Sequence, residues 1–467
     1  MDRSIRRLFY FFVALFVALI LMLTYVQVWA APSLKVNAAN TRAVEEEMKI
    51  QRGLILSADG QQLAKNDQQG QYYVREYPFG DLTAPWLGYN NLRYGRAGIE
   101  RVYNEELTGQ AGLLGITSSW SQILGQAQRG SDLKLTVQMN VQQAAAKALG
   151  NRKGAVVALN PRTGAILAMV SFPRYDPNKL TEQWKTLVAD ADRPLLNRAI
   201  QGLYPPGSTF KIIVGSAALQ TGAVTPATTF SDTGTVNLGG YIIHNFDQKA
   251  YGDHDFQKAF ASSINTTFSK VGVDMGGNTL ATYADAFGFG KSFPWKLGGA
   301  KSSFPDPGGM DVAHVAQASI GQGEVLVTPL LMGLAACAVA NDGKIMKPYI
   351  VDQVLSYNGA VVEKTSPSQW LQPMTAATAA TMKNLMVQVV RSGTGTAAAI
   401  SGVQVAGKTG TAEVAGAEPH AWFAGFAPAD DPQIAVIVIV ENAGTGGSVA
   451  APIAKAVMAA ALQLGLK

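Results

Sequence analysis

The 467-residue chain holds one cysteine and four histidines. A lone cysteine excludes an internal disulfide framework and any multi-cysteine zinc or iron–sulfur site. His244, His254, His314 and His420 are nowhere spaced as HxH or HExxH, so zinc hydrolysis has little support. Charged residues make up 15% of the chain and the net charge is +5, too mild to imply nucleic acid; no aromatic–basic motif supports such a partner. At 48% hydrophobic the chain is not mostly disordered, and its length suggests roughly three domains. A GxSxG elbow is missing, which argues against an α/β-hydrolase. Gly288-Phe289-Gly290 lacks the third glycine of a dinucleotide fingerprint.

Long apolar runs are also scarce: there is one, from Leu8 to Ala31, without a charge. About 20 apolar residues cross a bilayer core. Arg3, Arg6 and Arg7 precede the run, so the positive-inside rule places the N-terminus in the cytoplasm, with Tyr25 and Trp29 at the outer interface. Val28-Trp29-Ala30 would pass as a cleavage site, but the run exceeds the roughly 7–15 residues of a signal-peptide core. An uncleaved single-pass anchor over residues 1–34 is therefore expected, with the rest of the chain extracytoplasmic.

Residues 35–150 mix polar stretches (Ala43–Gln51, Asp67–Gln71) with β-like pieces such as Gln71–Tyr77, and the spacing predicts a helix over Gln138–Leu149. This reads as an elongated non-catalytic pedestal. Residues 151–467 read as a second, α+β layered domain. Gly154–Leu159 and Ala165–Val170 form a predicted hairpin around the Asn160–Gly164 turn, and helical patterns dominate from about 208 to 340. Strands return at Val403–Ala406, His420–Phe426 and Ile434–Val440, before an Ala-rich helix over the last 20 residues. Strands at both ends with helices between predict one sheet built from the domain's two termini, and Cys337 in GLAACAVA reads as a buried helix residue.

Gly402–Thr409 matches a nucleotide-binding P-loop by letter, but Val403–Ala406 inside it is strand-like and Gly410 would weaken a helix start. Lys408 makes better sense in another set. Ser208-Thr209-Phe210-Lys211 follows Tyr204-Pro205-Pro206-Gly207 and runs into the apolar Ile212–Leu219. That puts Ser208 at a helix N-terminus, where free N–H groups and the dipole favour an alkoxide, with Lys211 one turn on. A lysine in a dry pocket beside a second cation can lose its proton and act as a base. Ser131–Lys134 has the same SxxK form in a strand-like stretch and reads as chance. Ser263-Ile264-Asn265 lies in the helix-compatible AFASSINTTFSKVG; the similar Ser356-Tyr357-Asn358 sits where Asn358-Gly359 reads as a hairpin turn. Lys408-Thr409-Gly410-Thr411 supplies a cation and two alternating hydroxyls on one strand, a carboxylate clamp, with Gly410 admitting a substrate backbone.

The ordered trio STFK, SIN and KTGT resembles the motif set of penicillin-binding proteins and class A β-lactamases. Its middle element departs from SDN by carrying Ile264. Asn197-Arg198-Ala199, YPPGSTFK, GKTGTAE, His420–Phe423, Ala424–Pro428, Arg52–Ile55 and Asp59-Gly60 make the chain similar to a high-molecular-weight penicillin-binding protein. Residues 35–150 are too few for a glycosyltransferase domain, so the resemblance is to the monofunctional class B, and in its short N-terminal segment to the penicillin-binding protein A group of high-GC Gram-positive bacteria.

The resemblance implies a transpeptidase fold with a central antiparallel sheet flanked by helices, and cofactor-free, metal-free D,D-transpeptidation of peptidoglycan stem peptides. Ser208 would attack D-Ala-D-Ala with Lys211 as base. Ser263 would relay a proton to the leaving amine, and Asn265 would hold Lys211 and the substrate amide. Lys408, Thr409 and Thr411 would bind the terminal carboxylate, and the backbone N–H groups of Ser208 and Thr411 would form the oxyanion hole. It also implies acylation by β-lactam antibiotics and a SEDS-type glycosyltransferase among other wall-synthesis partners. A membrane-anchored β-lactamase or β-lactam sensor on the same fold is the alternative. A non-catalytic scaffold is disfavoured by the complete trio.

Overall fold

A computed structural model describes residues 3–30, 48–110 and 129–465. Most of the polar stretch Ala43–Gln51, Ala31 at the end of the apolar run, and the Trp29 side chain lie outside what is described. The apolar run is a helix from Arg3 to Thr24 that continues in wider turns to Ala30, and its described side chains are exposed. At ~1.5 Å per residue it is long enough to cross a bilayer core.

In the pedestal, Ile55–Leu56, Gln62–Gln69, Tyr72–Glu76 and Asp132–Leu135 belong to one six-stranded sheet. Gly53 must be glycine, because a Cβ there would sit 1.7 Å from the Ser131 carbonyl oxygen. Beside it the fully buried Glu100 takes Arg52 at 2.8 Å and Arg75 at 2.6 Å. The sheet's remaining strands, Val351–Leu355 and Val361–Lys364, come from deep inside the second segment, and Val351–Leu355 pairs antiparallel with Asp132–Leu135. One buried apolar cluster accordingly runs from Ile55 and Leu133 through to Ile439.

The second segment is built on five antiparallel strands in the order Ala406–Val414, Ala417–Ala427, Ile434–Val440, Gly154–Leu159, Ile166–Phe172. Strands from both ends of the segment do share one sheet, as the apolar patterning suggested. Ile434–Val440 is continuous in apolar side chains because both its faces are covered. Helices Met139–Leu149 and Ala451–Leu462 cover one face. The wholly buried helix Pro329–Ala340, with Cys337 inside it, covers the other beside Ala376–Ser392. The predicted turn forms as read: the Asn160 side chain accepts from the N–H groups of Arg162 and Thr163, and Gly164 sits at φ 83°.

Three readings need correction. The strand predicted at Val403–Ala406 starts only at Ala406; Gly402, at φ 75°, turns the chain just before, and Val403 bridges back to Ile400. The supposedly helical stretch from 208 to 340 contains four short strands between Thr229 and Asp255. Their polar, glycine-punctuated sequence obscures any alternation. The Ala-rich C-terminal helix begins with wider turns at Gly446–Ala450 and ends earlier than predicted, at Leu462.

Candidate active site

Two prolines and a glycine shape the turn that carries Ser208. Gly207, at φ 51°, donates its N–H to the Gly321 carbonyl at 2.9 Å. A Cβ on Gly207 would lie 2.7 Å from the Thr411 carbonyl oxygen, so this turn can press against the edge strand Ala406–Val414 only as glycine. The Trp422 indole donates to the Pro205 carbonyl at 3.1 Å. Upstream, the buried Arg198 guanidinium and the Tyr204 hydroxyl both donate to Glu441, at 2.8 and 2.7 Å, tying the approach to the turn to the end of the central strand. Ser208 itself lies in a 3-10 turn, Gly207–Phe210, and the α-helix opens at Lys211.

Ser263 is not within one helix, as its surroundings predicted. It stands between Phe256–Ala261 and Asn265–Met275, at φ 58°. A non-glycine residue in the left-handed region is unusual, and such strain concentrates where geometry serves chemistry. Here the break turns both the Ser263 carbonyl and its hydroxyl toward the Lys211 side chain. The Lys211 ammonium donates to the Ser263 carbonyl at 2.9 Å, to the Ser263 hydroxyl at 3.2 Å and to Asn265 Oδ1 at 2.7 Å. Lys408 reaches the same hydroxyl from the edge strand, at 2.9 Å, and donates to the Thr409 carbonyl at 3.0 Å. Two lysines thus converge on one serine oxygen, and both are fully buried. Phe268 lies under Lys211 at 5.1 Å and Phe260 under Lys408 at 5.8 Å, replacing part of the lost hydration.

Burial pushes Lys408 down from 10.5 to about 7. Lys211 is also driven well below the ordinary lysine value, first by burial and then by the neighbouring Lys408 cation. Burial and the like charge both favour loss of a proton from this lysine pair. Among the described residues the Ser208 hydroxyl, half-buried, makes no hydrogen bond. Ser208 precedes Lys211 by about one helical turn of chain.

The alternation read along the clamp strand is present in the structure. Regular pairing along Ala406–Ala412 puts Lys408 and Gly410 on one face and Thr409 and Thr411 on the other. Thr409 shares a 2.5 Å hydrogen bond with the Thr394 hydroxyl, and Thr411 Oγ1 accepts from the Gly446 N–H at 3.4 Å. The strand is at the sheet edge, so groups from both faces can flank a molecule laid along it. Gly410 packs tightly: a Cβ would lie 3.0 Å from the Pro206 carbonyl oxygen, the Thr209 methyl and the Trp422 Cβ. Asn265 uses its Oδ1 on Lys211 and its Nδ2 on the His244 carbonyl at 2.9 Å. Ser356 and Asn358 bond to each other in a hairpin turn of the pedestal sheet, while Ser131 and Lys134 lie at another of its strands. Thr394 and the groups behind Asn265 were missed; only the small-residue run Gly393-Thr394-Gly395-Thr396 hinted at the former.

The penicillin binding protein transpeptidase domain model matches residues 154–459. The chain belongs to the penicillin-binding protein transpeptidase family. The penicillin binding protein A dimerisation domain model matches residues 52–133. The chain is 39% identical to the peptidoglycan D,D-transpeptidase PbpA of Mycolicibacterium smegmatis, over 100% of both chains. It is 38% identical to PbpA of Mycobacterium tuberculosis over 99% of each. The ceftriaxone acyl-enzyme complex of Mycobacterium tuberculosis penicillin-binding protein A superposes with a TM-score of 0.85 at 36% identity, covering 90% of this chain and 100% of that one.

Proposed function

We propose that this chain is a membrane-anchored peptidoglycan D,D-transpeptidase of class B, with Ser208 as nucleophile. The observation that carries the site assignment is the buried Lys211, held by Ser263 and Asn265 beside a second lysine and one turn from a serine with an uncommitted hydroxyl. Neutral Lys211 takes the Ser208 proton as Oγ attacks the carbonyl carbon of the penultimate D-Ala. The new oxyanion is received by the N–H groups of Ser208 and Thr411; losing one such donor typically costs about 10²–10³ in rate. As the tetrahedral adduct collapses, the C–N bond breaks and the Ser263 hydroxyl passes a proton to the departing D-Ala amine, refilled from Lys211. An acceptor amine from a neighbouring stem peptide then attacks the ester, and Ser208 recovers its proton. Lys408, Thr409 and Thr411 flank the donor's terminal carboxylate, and Gly410 keeps the strand close to the nucleophile turn.

A β-lactam follows the same first step. Its ring nitrogen remains tethered after the amide opens, so the acyl-enzyme keeps the acceptor's path occupied. Mass spectrometry of the full chain with penicillin should show one adduct on Ser208 that persists, and none on Ser208→Ala. A labelled Ser208→Ala protein would overturn the nucleophile assignment, and rapid turnover of the adduct would favour a β-lactamase.

Residues 1–34 serve in this reading as the anchor with a cytoplasmic N-terminus, supported by Arg3, Arg6 and Arg7 before the apolar run. Residues 35–150 serve as the pedestal and 151–467 as the transpeptidase domain. By analogy with class B enzymes, anchor and pedestal would contact a SEDS-type glycosyltransferase. Co-purification that survives replacement of Leu8–Ala31 by an unrelated anchor would remove that segment from the contact.

A further inference from the structure

Behind Asn265 lies a buried carboxylate that the mechanism above does not use. Asp232 ends the strand Thr229–Asp232, is 4% exposed, and accepts four hydrogen bonds. Its Oδ1 takes the Thr266 hydroxyl at 2.6 Å and the Gly234 N–H at 3.1 Å. Its Oδ2 takes the Asn245 amide at 2.8 Å and the Tyr251 N–H at 2.8 Å. Burial alone would raise its carboxyl, but these four donors outweigh it and hold the group below the usual carboxylate value. Asn245 closes the ring by accepting the Thr266 N–H at 3.1 Å.

Both residues gripped by Asp232 adjoin the active site in sequence. Thr266 follows Asn265, and Asn245 follows His244, whose carbonyl accepts the Asn265 Nδ2. A carbonyl on one side and the Lys211 ammonium on the other leave the Asn265 amide a single orientation, with Oδ1 toward Lys211. Nothing in Asn265 itself keeps those partners in register; the tie between the strand lobe and the helix Asn265–Met275 does.

We propose that Asp232 is a positioning residue for acylation: by clamping Thr266 and Asn245 together, it fixes the Asn265 amide that holds Lys211. It acts through these neighbours and does not touch substrate. The inference rests on the acyl-enzyme reading above. Other charged groups in the neighbourhood are Lys270, whose ammonium donates to the Ser231 carbonyl at 3.2 Å, and Lys249, 5.0 Å over the Tyr251 ring; Lys211 itself faces Lys408.

The test compares full-length wild type, Asp232→Asn, Thr266→Val and the exposed control Asp253→Asn in detergent, with a chromogenic penicillin. An amide at position 232 turns a donor toward two of the four donors it now satisfies. Acylation of Asp232→Asn should fall about 10–100-fold, as for a misplaced catalytic group. The acid limb of its pH–rate profile should move to lower pH, because a Lys211 ammonium without the Asn265 acceptor deprotonates more readily. Thr266→Val should move both in the same direction by less, and Asp253→Asn neither. A folded Asp232→Asn protein with wild-type rate, or a slower one with an unmoved acid limb, would reduce Asp232 to a structural role. If Asp232→Asn does not fold, Thr266→Val decides on the same two readouts. Absence of a Ser208 adduct on wild type would instead defeat the acyl-enzyme reading, whatever the variants do.

Discussion

Lys211 and Lys408 set the pH behaviour of the site. Both are buried, and both are depressed from the ordinary lysine value, Lys408 to about 7. Between that value and 10.5 the unfolded chain binds more protons than the folded one, so these lysines make stability rise with pH across the window. Below about 7 Lys408 is protonated in both states and its burial cost is constant. We expect Lys408→Met to melt higher than wild type at pH 7, by about 1 °C per kcal/mol regained in a cooperative unit of this size, with a flatter rise in melting temperature toward pH 10. Its acylation should collapse, because Ser263 loses a partner and the carboxylate its cation. A Lys408→Met protein that melts lower at pH 7 would contradict the buried-cation account. Both lysines were legible as letters, since SxxK and KTG place a cation at a fixed offset from a hydroxyl. Asp232 was not. Its partners Asn245, Tyr251 and Thr266 are 13 to 34 residues away, and a lone aspartate before a glycine turn has no distinguishing pattern.

Among the elements, the contact between the nucleophile turn and the edge strand matters most. It is a close backbone approach with no room for a Cβ at Gly207 and a tight fit for one at Gly410. Gly207→Ala adds both a clash and a left-handed alanine. We expect it to cost about 1–3 kcal/mol of stability and to slow acylation at least about tenfold, as Ser208 retreats from Thr411. Wild-type acylation kinetics in Gly207→Ala would show the approach to be dispensable. The sequence pattern identified the turn and the strand, but spacing along one strand does not disclose what packs on Gly410. Likewise AFASSINTTFSKVG has helical periodicity throughout, yet the chain breaks at Ser263 and Phe268 packs back on Phe256 at 5.3 Å and on Phe260. These ring contacts hold the two helices together.

For the molecule as a whole, the pedestal and the transpeptidase segment share a sheet. Val351–Leu355 is flanked by Asp132–Leu135 on one side and Val361–Lys364 on the other. Removing residues 1–136 would expose that strand's edge and the buried Val351 and Val354. Residues 137–467 expressed alone should therefore melt lower than the chain from residue 48 onward, or aggregate. The longer chain should give one calorimetric transition. Two well-separated transitions would show that the shared strands do not couple the segments. The sequence by itself determined the apolar N-terminal helix, the family chemistry, and the candidate nucleophile, lysines and hydroxyls, because each is written as a local run or a short fixed spacing. Tertiary structure alone decided what packs against the edge strand, how two lysines come to share one serine oxygen, and which distant carboxylate ties Thr266 to Asn245. Those relations depend on groups brought together from 13 to 145 residues apart in the chain, and no local periodicity encodes them.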